Sequence, residues 1–177
     1  MLILVGPSAS GKTQIVKILR EQYGLNKMVT YTSRAMRPGE IEGVDYFFLS
    51  KEEFEKRISE GFFIEHVVYN GNYYGTSKEG LDSDKVVILE PTGLKHYLEV
   101  AKDLVKICYL RCPKEIRYQR MVVRGDSEEV INKRIDSDDI VFSKELELIA
   151  TWTIDGYGES LEDMTNRIYN LYKDYID

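Results

Sequence analysis

The most constraining feature of this chain is a glycine-rich loop that directly follows a short apolar run near its N-terminus. The run is Leu2-Ile3-Leu4-Val5, and the loop reads Gly6-Pro7-Ser8-Ala9-Ser10-Gly11-Lys12-Thr13. This spacing matches the Walker A pattern, in which two glycines five positions apart are followed by Lys and then Ser or Thr. The glycines let the backbone curve around an anion so that its N–H groups face phosphate oxygens. The sequence therefore predicts a strand, a phosphate-binding loop (P-loop) and a helix in succession.

Two side chains of the P-loop suit a nucleoside triphosphate and its metal. Lys12 supplies a positive charge for the β- and γ-phosphates, and the hydroxyl of Thr13 is placed to bind Mg²⁺. The helix that begins here also favours anions at its N-terminus. The alternative is an ordinary glycine-rich turn whose lysine is only solvated.

Beyond the loop, short apolar segments alternate with helical patterns. We expect strands at 28–29, 86–89, 105–110 and 151–154, and helices at 12–23, around 94–101, after Pro113, from about 127 through 148, and at 161–175. This alternation predicts right-handed crossovers and an α/β fold with a doubly wound parallel sheet of about five strands, of the P-loop NTPase type. Residues 31–80 break the rhythm and predict a small α+β insertion, so that the core domain would comprise 1–30 and 81–177.

Composition narrows the possible partners. A chain of 177 residues with 43% hydrophobic residues is long enough for one buried core, and its net charge of −6 argues against a nucleic acid polymer as partner. No apolar run reaches the roughly 20 residues of a membrane span, so we expect no membrane association and a cytoplasmic location. Cys108 and Cys112 are predicted to be buried thiols, since His66 and His96 are too isolated to complete a zinc site with them.

Further motifs follow within the insertion and after it. They read Thr30-Tyr31-Thr32-Ser33-Arg34-Ala35-Met36-Arg37-Pro38-Gly39-Glu40, Gly43-Val44-Asp45-Tyr46-Phe47-Phe48, Phe63-Ile64-Glu65, Gly71-Asn72-Tyr73-Tyr74-Gly75-Thr76-Ser77, and Arg124-Gly125-Asp126-Ser127-Glu128-Glu129 with Lys133-Arg134. With these motifs in this order, the chain resembles the guanylate kinase family over nearly its whole length. The resemblance implies Mg²⁺-dependent phosphoryl transfer from ATP to GMP, giving ADP and GDP. It also implies that the insertion binds GMP and that a helical lid lies at about 117–135.

Four residues of the insertion suit a monophosphate. Arg34 and Arg37 can pair bidentately with phosphate oxygens, and Tyr46 and Tyr74 can add hydroxyl donors. The resemblance assigns these four to the phosphate of GMP. The alternative is a pair of solvated arginines beside two core tyrosines.

Glu65 is the candidate for reading the base. A carboxylate accepts two hydrogen bonds, and guanine presents N1–H and its N2 amine side by side, whereas adenine has no N1 proton. The resemblance places Glu65 on this edge, with the hydroxyls of Thr30 and Thr76 near O6. An ordinary surface glutamate is the alternative.

The resemblance also suggests which residues act on the transferring group. Arg124 and Arg134 look like lid arginines, and they join Lys12 and Arg34 as the expected catalytic residues. Their separation is one residue shorter than the family pattern, so the register of the lid is open. Arg117 and Arg120, on the same predicted helix, are further candidates.

Two segments depart from the family pattern. After the strand at 86–89 the chain reads Glu90-Pro91-Thr92-Gly93, where the family carries two acidic residues before Gln-Gly. Glu90 can still act on a Mg²⁺-bound water, but the second, guanine-contacting acid has no counterpart other than Thr92. Asp155 stands where we expect an asparagine that contacts the adenine of ATP.

Two other functions remain open at this stage. The shortened segment leaves open a related P-loop kinase with a different phosphorylated acceptor, and a non-catalytic guanylate-kinase-like binding module is the second alternative. The complete Gly11-Lys12-Thr13 argues against the latter, because such modules typically lose P-loop residues. The expected partners are ATP and GMP as small molecules, and a homodimer is left open.

Overall fold

Two β-sheets organise the chain in the computed structural model, which describes residues 1–69, 71–79, 81–142 and 144–176. The larger sheet contains β1 (Leu2–Val5), β2 (Asn26–Lys27), β7 (Lys85–Ile88), β8 (Lys106–Arg111) and β9 (Trp152–Asp155). Its strands are parallel and lie in the order β2-β7-β1-β8-β9. The smaller, mixed sheet contains β3 (Thr30–Thr32), β4 (Tyr46–Phe48), β5 (Phe63–Tyr69) and β6 (Asn72–Ser77), in the order β4-β3-β6-β5. The α/β class with a five-stranded parallel sheet is thereby confirmed.

Helices cover both faces of the larger sheet. The helices in the described residues are α1 (Lys12–Tyr23), α2 (Lys51–Ser59), α3 (Pro91–Ala101), α4 (Lys114–Val123), α5 (Glu128–Val141), α6 (Lys144–Ile149) and α7 (Leu161–Lys173), of which α2 packs on the smaller sheet. Side chains of β1 alternate between two hydrophobic clusters, with Leu2 and Leu4 in one and Ile3 and Val5 in the other. A strand buried on both faces explains why its sequence is continuously apolar. β1 therefore carries the P-loop on the most buried strand of the molecule.

The first helix follows the sequence prediction. It runs from Lys12 to Tyr23 and ends at Gly24, whose φ of 71° is left-handed. Glycine adopts this conformation without a steric penalty, which makes it a common helix terminator. The residues at the two ends of α1 were therefore enough to predict where the helix begins and ends.

Two predicted elements were wrong. No strand lies at 28–29, because these residues cross from one sheet to the other: β2 ends before them, β3 begins after them, and the Met28 N–H donates to the Val86 carbonyl at 2.8 Å. The helix predicted from 127 through 148 is two helices, α5 and α6. Phe142 leaves the helical region with φ −94° and ψ 79°, and its ring lies 6.4 Å from that of Tyr109 in the core. Packing of this aromatic side chain accompanies the break.

The smaller sheet has a core of its own. Tyr31, Phe54 and Phe63 are buried together, and the rings of Phe54 and Phe63 stack at 4.4 Å. Helix α2 closes this core and is capped by Ser50, whose hydroxyl accepts from the Glu53 N–H. The sheet spans much of the insertion predicted at 31–80, although the domain boundaries themselves stay a prediction.

The remaining sequence predictions concern membranes and cysteines. Within the described residues no helix has the length and apolar character that a bilayer crossing needs. Cys108 and Cys112 are both free and buried, and burial raises the pKa of Cys108 to about 12. Over the same residues no group of three or more His, Cys, Asp or Glu side chains is arranged to hold a metal ion.

Candidate active site

The P-loop, which joins β1 to α1, lines a cavity of about 400 Å³. Gly11 has a φ of 105°, a conformation that other residues rarely adopt. Gly6 is required for a different reason, because a Cβ there would lie 2.6 Å from the carbonyl oxygen of Leu110 in β8. The rest of the wall comes from α1, α4, α7 and the end of β9, through Gln14, Arg120, Arg124, Gly156, Leu161 and Met164.

Lys12 is folded back onto its own loop. Its ammonium group donates to the carbonyl oxygens of Gly6 at 2.5 Å and Pro7 at 2.8 Å. Burial lowers the pKa of Lys12, and the negative charges of Glu90 and Asp138 partly offset this effect. A charge held where water is scarce interacts strongly with a phosphate that enters the cavity.

The structure brings some of the predicted lid arginines to the P-loop, but not all. Arg124 lines the cavity and pairs with Asp126. Arg134 is exposed on α5 and is not among the cavity-lining residues. Arg117 is buried, with only 5% of its surface exposed, and binds Asp138 at 2.9 Å. The two terminal nitrogens of its guanidinium are therefore already paired, with Asp138 and Asp139.

Of two further residues that contact the P-loop, Arg120 was a candidate from sequence and Asp138 was not predicted. Arg120 donates to the carbonyl oxygens of Ala9 at 3.1 Å and Gly156 at 2.8 Å, so it joins α4 to the P-loop and to the end of β9. Asp138 accepts from the N–H of Ser8 at 2.8 Å. Arg120 lies one helical turn before Arg124, and that spacing was a usable signal. Asp138 could be recognised only as a charge at a helix position that otherwise repeats apolar residues.

The residues predicted to bind the GMP phosphate lie on the smaller sheet and on the loop between its strands β3 and β4. Arg34 donates to Glu40 at 2.6 Å and to the Ala35 carbonyl at 2.7 Å, and its guanidinium lies 5.6 Å from the ring centre of Tyr46. The other carboxylate oxygen of Glu40 accepts from the backbone N–H of Arg37 at 2.7 Å. The rings of Tyr46 and Tyr74 are 6.1 Å apart. Glu40 thus orders the loop that carries both arginines, and the Arg37 side chain is exposed.

Glu65 is buried, with 7% of its surface exposed. It lies opposite Thr76 across β5 and β6, and the Thr76 hydroxyl donates to its Oε1 at 2.9 Å. Burial raises the pKa of Glu65, and the Thr76 hydroxyl partly offsets this rise. Thr30 begins β3, paired with Tyr46 of β4. The base-reading residues proposed from sequence therefore lie on the same sheet as the phosphate-binding ones.

The shortened segment, residues 90–93, lies between the P-loop and the predicted base-reading residue Glu65. Glu90 directly precedes α3, and its negative charge raises the pKa of Lys12 against the larger effect of burial. Three residues later, a Cβ on Gly93 would lie 3.3 Å from Oε2 of Glu65. The side chain of Thr92, the candidate substitute for the missing acid, lies outside the described residues. The first turn of α3 thus connects the P-loop lysine with Glu65.

The predicted metal ligands are Thr13 and Glu90. Thr13 lines the cavity, and desolvation raises the pKa of Glu90 although its side chain is exposed, with Lys12 opposing the rise. A hydroxyl and a carboxylate are the hard oxygen donors that Mg²⁺ prefers, and Mg²⁺ at nucleotide sites commonly takes further ligands from phosphates and water. The donor set therefore fits a metal ion that arrives with its nucleotide.

Asp155 lies at the end of β9, next to the cavity-lining Gly156. Its carboxylate accepts from Arg111 Nε at 2.7 Å, and this hydrogen bond holds the pKa of Asp155 below its usual range. A Cβ on Gly156 would lie 2.9 Å from the Ser10 carbonyl oxygen. Contact of Asp155 with adenine stays a prediction, and the ion pair with Arg111 competes with it.

Comparison with known proteins adds an independent finding. Residues 1–171 match the family model described as Guanylate kinase. A guanylate kinase of Clostridium perfringens strain SM101 is 36% identical over 176 residues, which cover 95% of this chain and 80% of that protein. A guanylate kinase of Symbiobacterium thermophilum is 36% identical over 143 residues, 76% of this chain and 68% of that protein. The crystal structure of guanylate kinase from Anaplasma phagocytophilum superimposes with a TM-score of 0.70 at 24% identity, covers 98% of this chain and 84% of that one, and shows a shared fold.

Proposed function

The chain belongs to the guanylate kinase family, and from this premise we propose that it transfers the γ-phosphoryl group of ATP to GMP, giving ADP and GDP. The observation that carries the proposal is the position of the first turn of α3. Glu90 at its start acts on the charge of Lys12, and Gly93 packs closely against Glu65. The loop proposed to bind the donor and the residue proposed to read the acceptor base therefore meet at one helical turn.

The donor is held by the P-loop. Its backbone N–H groups and Lys12 bind the phosphates, and Arg120 and Arg124 contribute positive charge from α4. The Thr13 hydroxyl and the Glu90 carboxylate would hold a Mg²⁺ ion that arrives with ATP, and this ion would supply positive charge to the phosphates. The excess negative charge of the reaction is thus neutralised locally in a protein whose net charge is −6.

The acceptor is held by the smaller sheet. A guanidinium has five N–H donors, so Arg34 can keep its bonds to Glu40 and Ala35 while it binds a phosphate oxygen. Arg37, Tyr46 and Tyr74 complete the phosphate site. Glu65 accepts from N1–H and the N2 amine of guanine, and the hydroxyls of Thr30 and Thr76 lie near O6.

Transfer is a direct in-line displacement. An oxygen of the GMP phosphate attacks the γ-phosphorus, the bond from that phosphorus to the β–γ bridging oxygen breaks, and ADP leaves with the bond's electrons. The acceptor phosphate is already a nucleophile once Arg34 positions it, so no covalent enzyme intermediate is needed. Lys12, Arg124 and Arg134 stabilise the charge on the transferring group, and closure of the lid excludes water.

A panel of acceptors tests this function directly. ADP release is measured with GMP, dGMP, AMP, IMP and UMP at a fixed ATP concentration, and GMP is expected to be the best acceptor among the ribonucleotides. Faster turnover with another acceptor would favour the related kinase that the shortened segment at 90–93 suggests. ATP binding without turnover on any acceptor would indicate a non-catalytic module.

The same assay tests Lys12. Lys12→Ala is expected to lower kcat by about 10²-fold or more, the usual loss when a group that stabilises transition-state charge is removed. Lys17→Ala is the matched control, because Lys17 lies on the same helix and is exposed beside Glu21. Near-normal kcat in Lys12→Ala would contradict the mechanism.

A further inference from the structure

Helix α5 presents a buried stripe that ends in a charged residue. Ile131, Ile135 and Asp138 are its buried positions, spaced four and then three residues apart. The two isoleucines cluster with Met121 of α4, and Ala9 of the P-loop packs against that cluster. Asp138 continues the stripe with 8% of its surface exposed. A carboxylate costs free energy at such a place unless it is paired and hydrogen-bonded.

The partners of Asp138 connect three elements. Its Oδ2 accepts from the Ser8 N–H at 2.8 Å and from Arg117 Nη1 at 2.9 Å, and its Oδ1 accepts from the Ser8 hydroxyl at 3.3 Å. Arg117 belongs to α4 and is itself buried. Asp138 therefore binds the tip of the P-loop from α5, with α4 holding its charge.

Arg134 lies one turn before Asp138 on α5. Four residues of helix correspond to about 6 Å along the axis, and side chains at this spacing lie on the same side of a helix. The bonds that hold Asp138 on the P-loop therefore also fix the position of Arg134 relative to the P-loop.

We propose that Asp138 is a positioning residue for phosphoryl transfer: its bonds to Ser8 hold α5 on the P-loop and set the place from which Arg134 reaches the transferring group. The inference rests on the proposed function and deepens it. Asp138 acts through Ser8 and Arg134 and does not itself touch substrate.

Substitution of Asp138 gives the first test. Asp138→Ala is expected to lower kcat about 10- to 100-fold, the scale of loss when a catalytic group is misplaced by an ångström, with KM for GMP changed less than about twofold. Asp138→Asn should recover most of kcat, since an amide oxygen also accepts from the Ser8 N–H. Asp139→Asn is the control, because Asp139 is half-exposed and pairs with the same Arg117 at 3.2 Å and with Lys114. An unchanged kcat in Asp138→Ala would overturn the inference.

A double variant separates positioning from stability. Asp138→Ala leaves the buried guanidinium of Arg117 without its buried partner, which destabilises the fold. Arg117→Met with Asp138→Ala removes that charge, so Tm should recover while kcat stays low. If kcat recovers together with Tm, the ion pair is only structural and the inference fails.

A mutant cycle with Arg134 tests how Asp138 acts. If Asp138 works through Arg134, adding Asp138→Ala to Arg134→Ala should lower kcat less than twofold further, far from the product of the single effects. Fully multiplicative losses, or normal kcat in Arg134→Ala, would overturn the inference. Turnover of GMP by the wild type is measured in the same experiment. If the wild type does not turn over GMP, the proposed function is refuted. If the wild type is active but the losses of the two single variants multiply, only the role of Asp138 is refuted.

Discussion

Glu65 is a residue whose proposed role in binding is opposed by its cost to stability. It is buried on the smaller sheet and accepts one hydrogen bond from Thr76, while burial raises its pKa. In the proposed complex, guanine brings two N–H donors to this carboxylate. The ligand would therefore offset a desolvation cost that the free protein carries.

Glu65→Gln should separate these two effects. The neutral side chain avoids the cost of burying a charge, so the free energy of unfolding at neutral pH should rise by about 1 kcal/mol. Because the raised pKa of Glu65 means that the folded state binds this proton more tightly, the cost is present above that pKa and fades as the pH falls through it. The stability advantage of the variant should therefore shrink in acid, which thermal unfolding at several pH values would measure.

The kinetic effect of Glu65→Gln should be opposite in sign. The amide cannot accept both guanine N–H groups, so kcat/KM for GMP should fall by about 10²-fold or more. IMP keeps N1–H but lacks the N2 amine, so the preference for GMP over IMP should narrow. Glu99→Gln, at an exposed position of α3, provides the control. An unchanged ratio of GMP to IMP would exclude Glu65 from the N2 edge of the base.

At the scale of secondary-structure elements, two glycines let a neighbouring element approach each proposed site. The first turn of α3 reaches Glu65 at Gly93, and the end of β9 reaches the P-loop at Gly156. Neither glycine has a left-handed φ, so an alanine at either position keeps an allowed φ and its effect comes from the added methyl group. The two positions therefore test the packing at the acceptor and donor sites separately.

Gly156→Ala and Gly93→Ala should each affect a different substrate. The Cβ at 156 would lie 2.9 Å from the Ser10 carbonyl oxygen, so the P-loop must move. KM for ATP should therefore rise about tenfold, which corresponds to about 1.4 kcal/mol of binding free energy, and KM for GMP should change little. The Cβ at 93 would lie 3.3 Å from the Glu65 carboxylate, a milder conflict, so KM for GMP should rise about threefold while KM for ATP stays constant. Steady-state kinetics with each substrate varied would show this pattern, and equal effects on both substrates would contradict it.

At the scale of the whole molecule, the two proposed sites lie on different sheets. The P-loop follows β1 of the larger sheet, whereas Arg34, Arg37 and Glu65 belong to the smaller sheet and its loops. The net charge of −6 does not favour anionic ligands. The positively charged side chains that bind them must therefore be concentrated at the two proposed sites. Binding of each substrate should therefore stabilise the protein through its own set of residues.

Thermal unfolding with ligands tests this separation. Each of GMP and a non-hydrolysable ATP analogue, at 100 times its Kd for the wild type, should add about 2.7 kcal/mol to the free energy of unfolding. Arg37→Ala should lose most of the GMP contribution at that concentration and keep that of the ATP analogue. Lys56→Ala, which removes an exposed positive charge from α2, is the control and should keep both. Loss of the ATP-analogue contribution in Arg37→Ala would contradict two separable sites.

The chain itself determined the features that depend on neighbouring residues. The P-loop, the ends of α1 and the buried strands follow from glycine conformations and apolar periodicity, which act over a few positions. The same patterns gave wrong predictions at 28–29, where the chain crosses between two sheets, and at 127–148, where α5 ends at Phe142 and the Phe142 ring packs near Tyr109. Tertiary structure alone decided that Asp138 binds Ser8, 130 positions earlier, and that Gly93 packs against Glu65. Such contacts depend on how helices and sheets pack against one another, because packing brings together side chains whose separation along the chain carries no periodic signal.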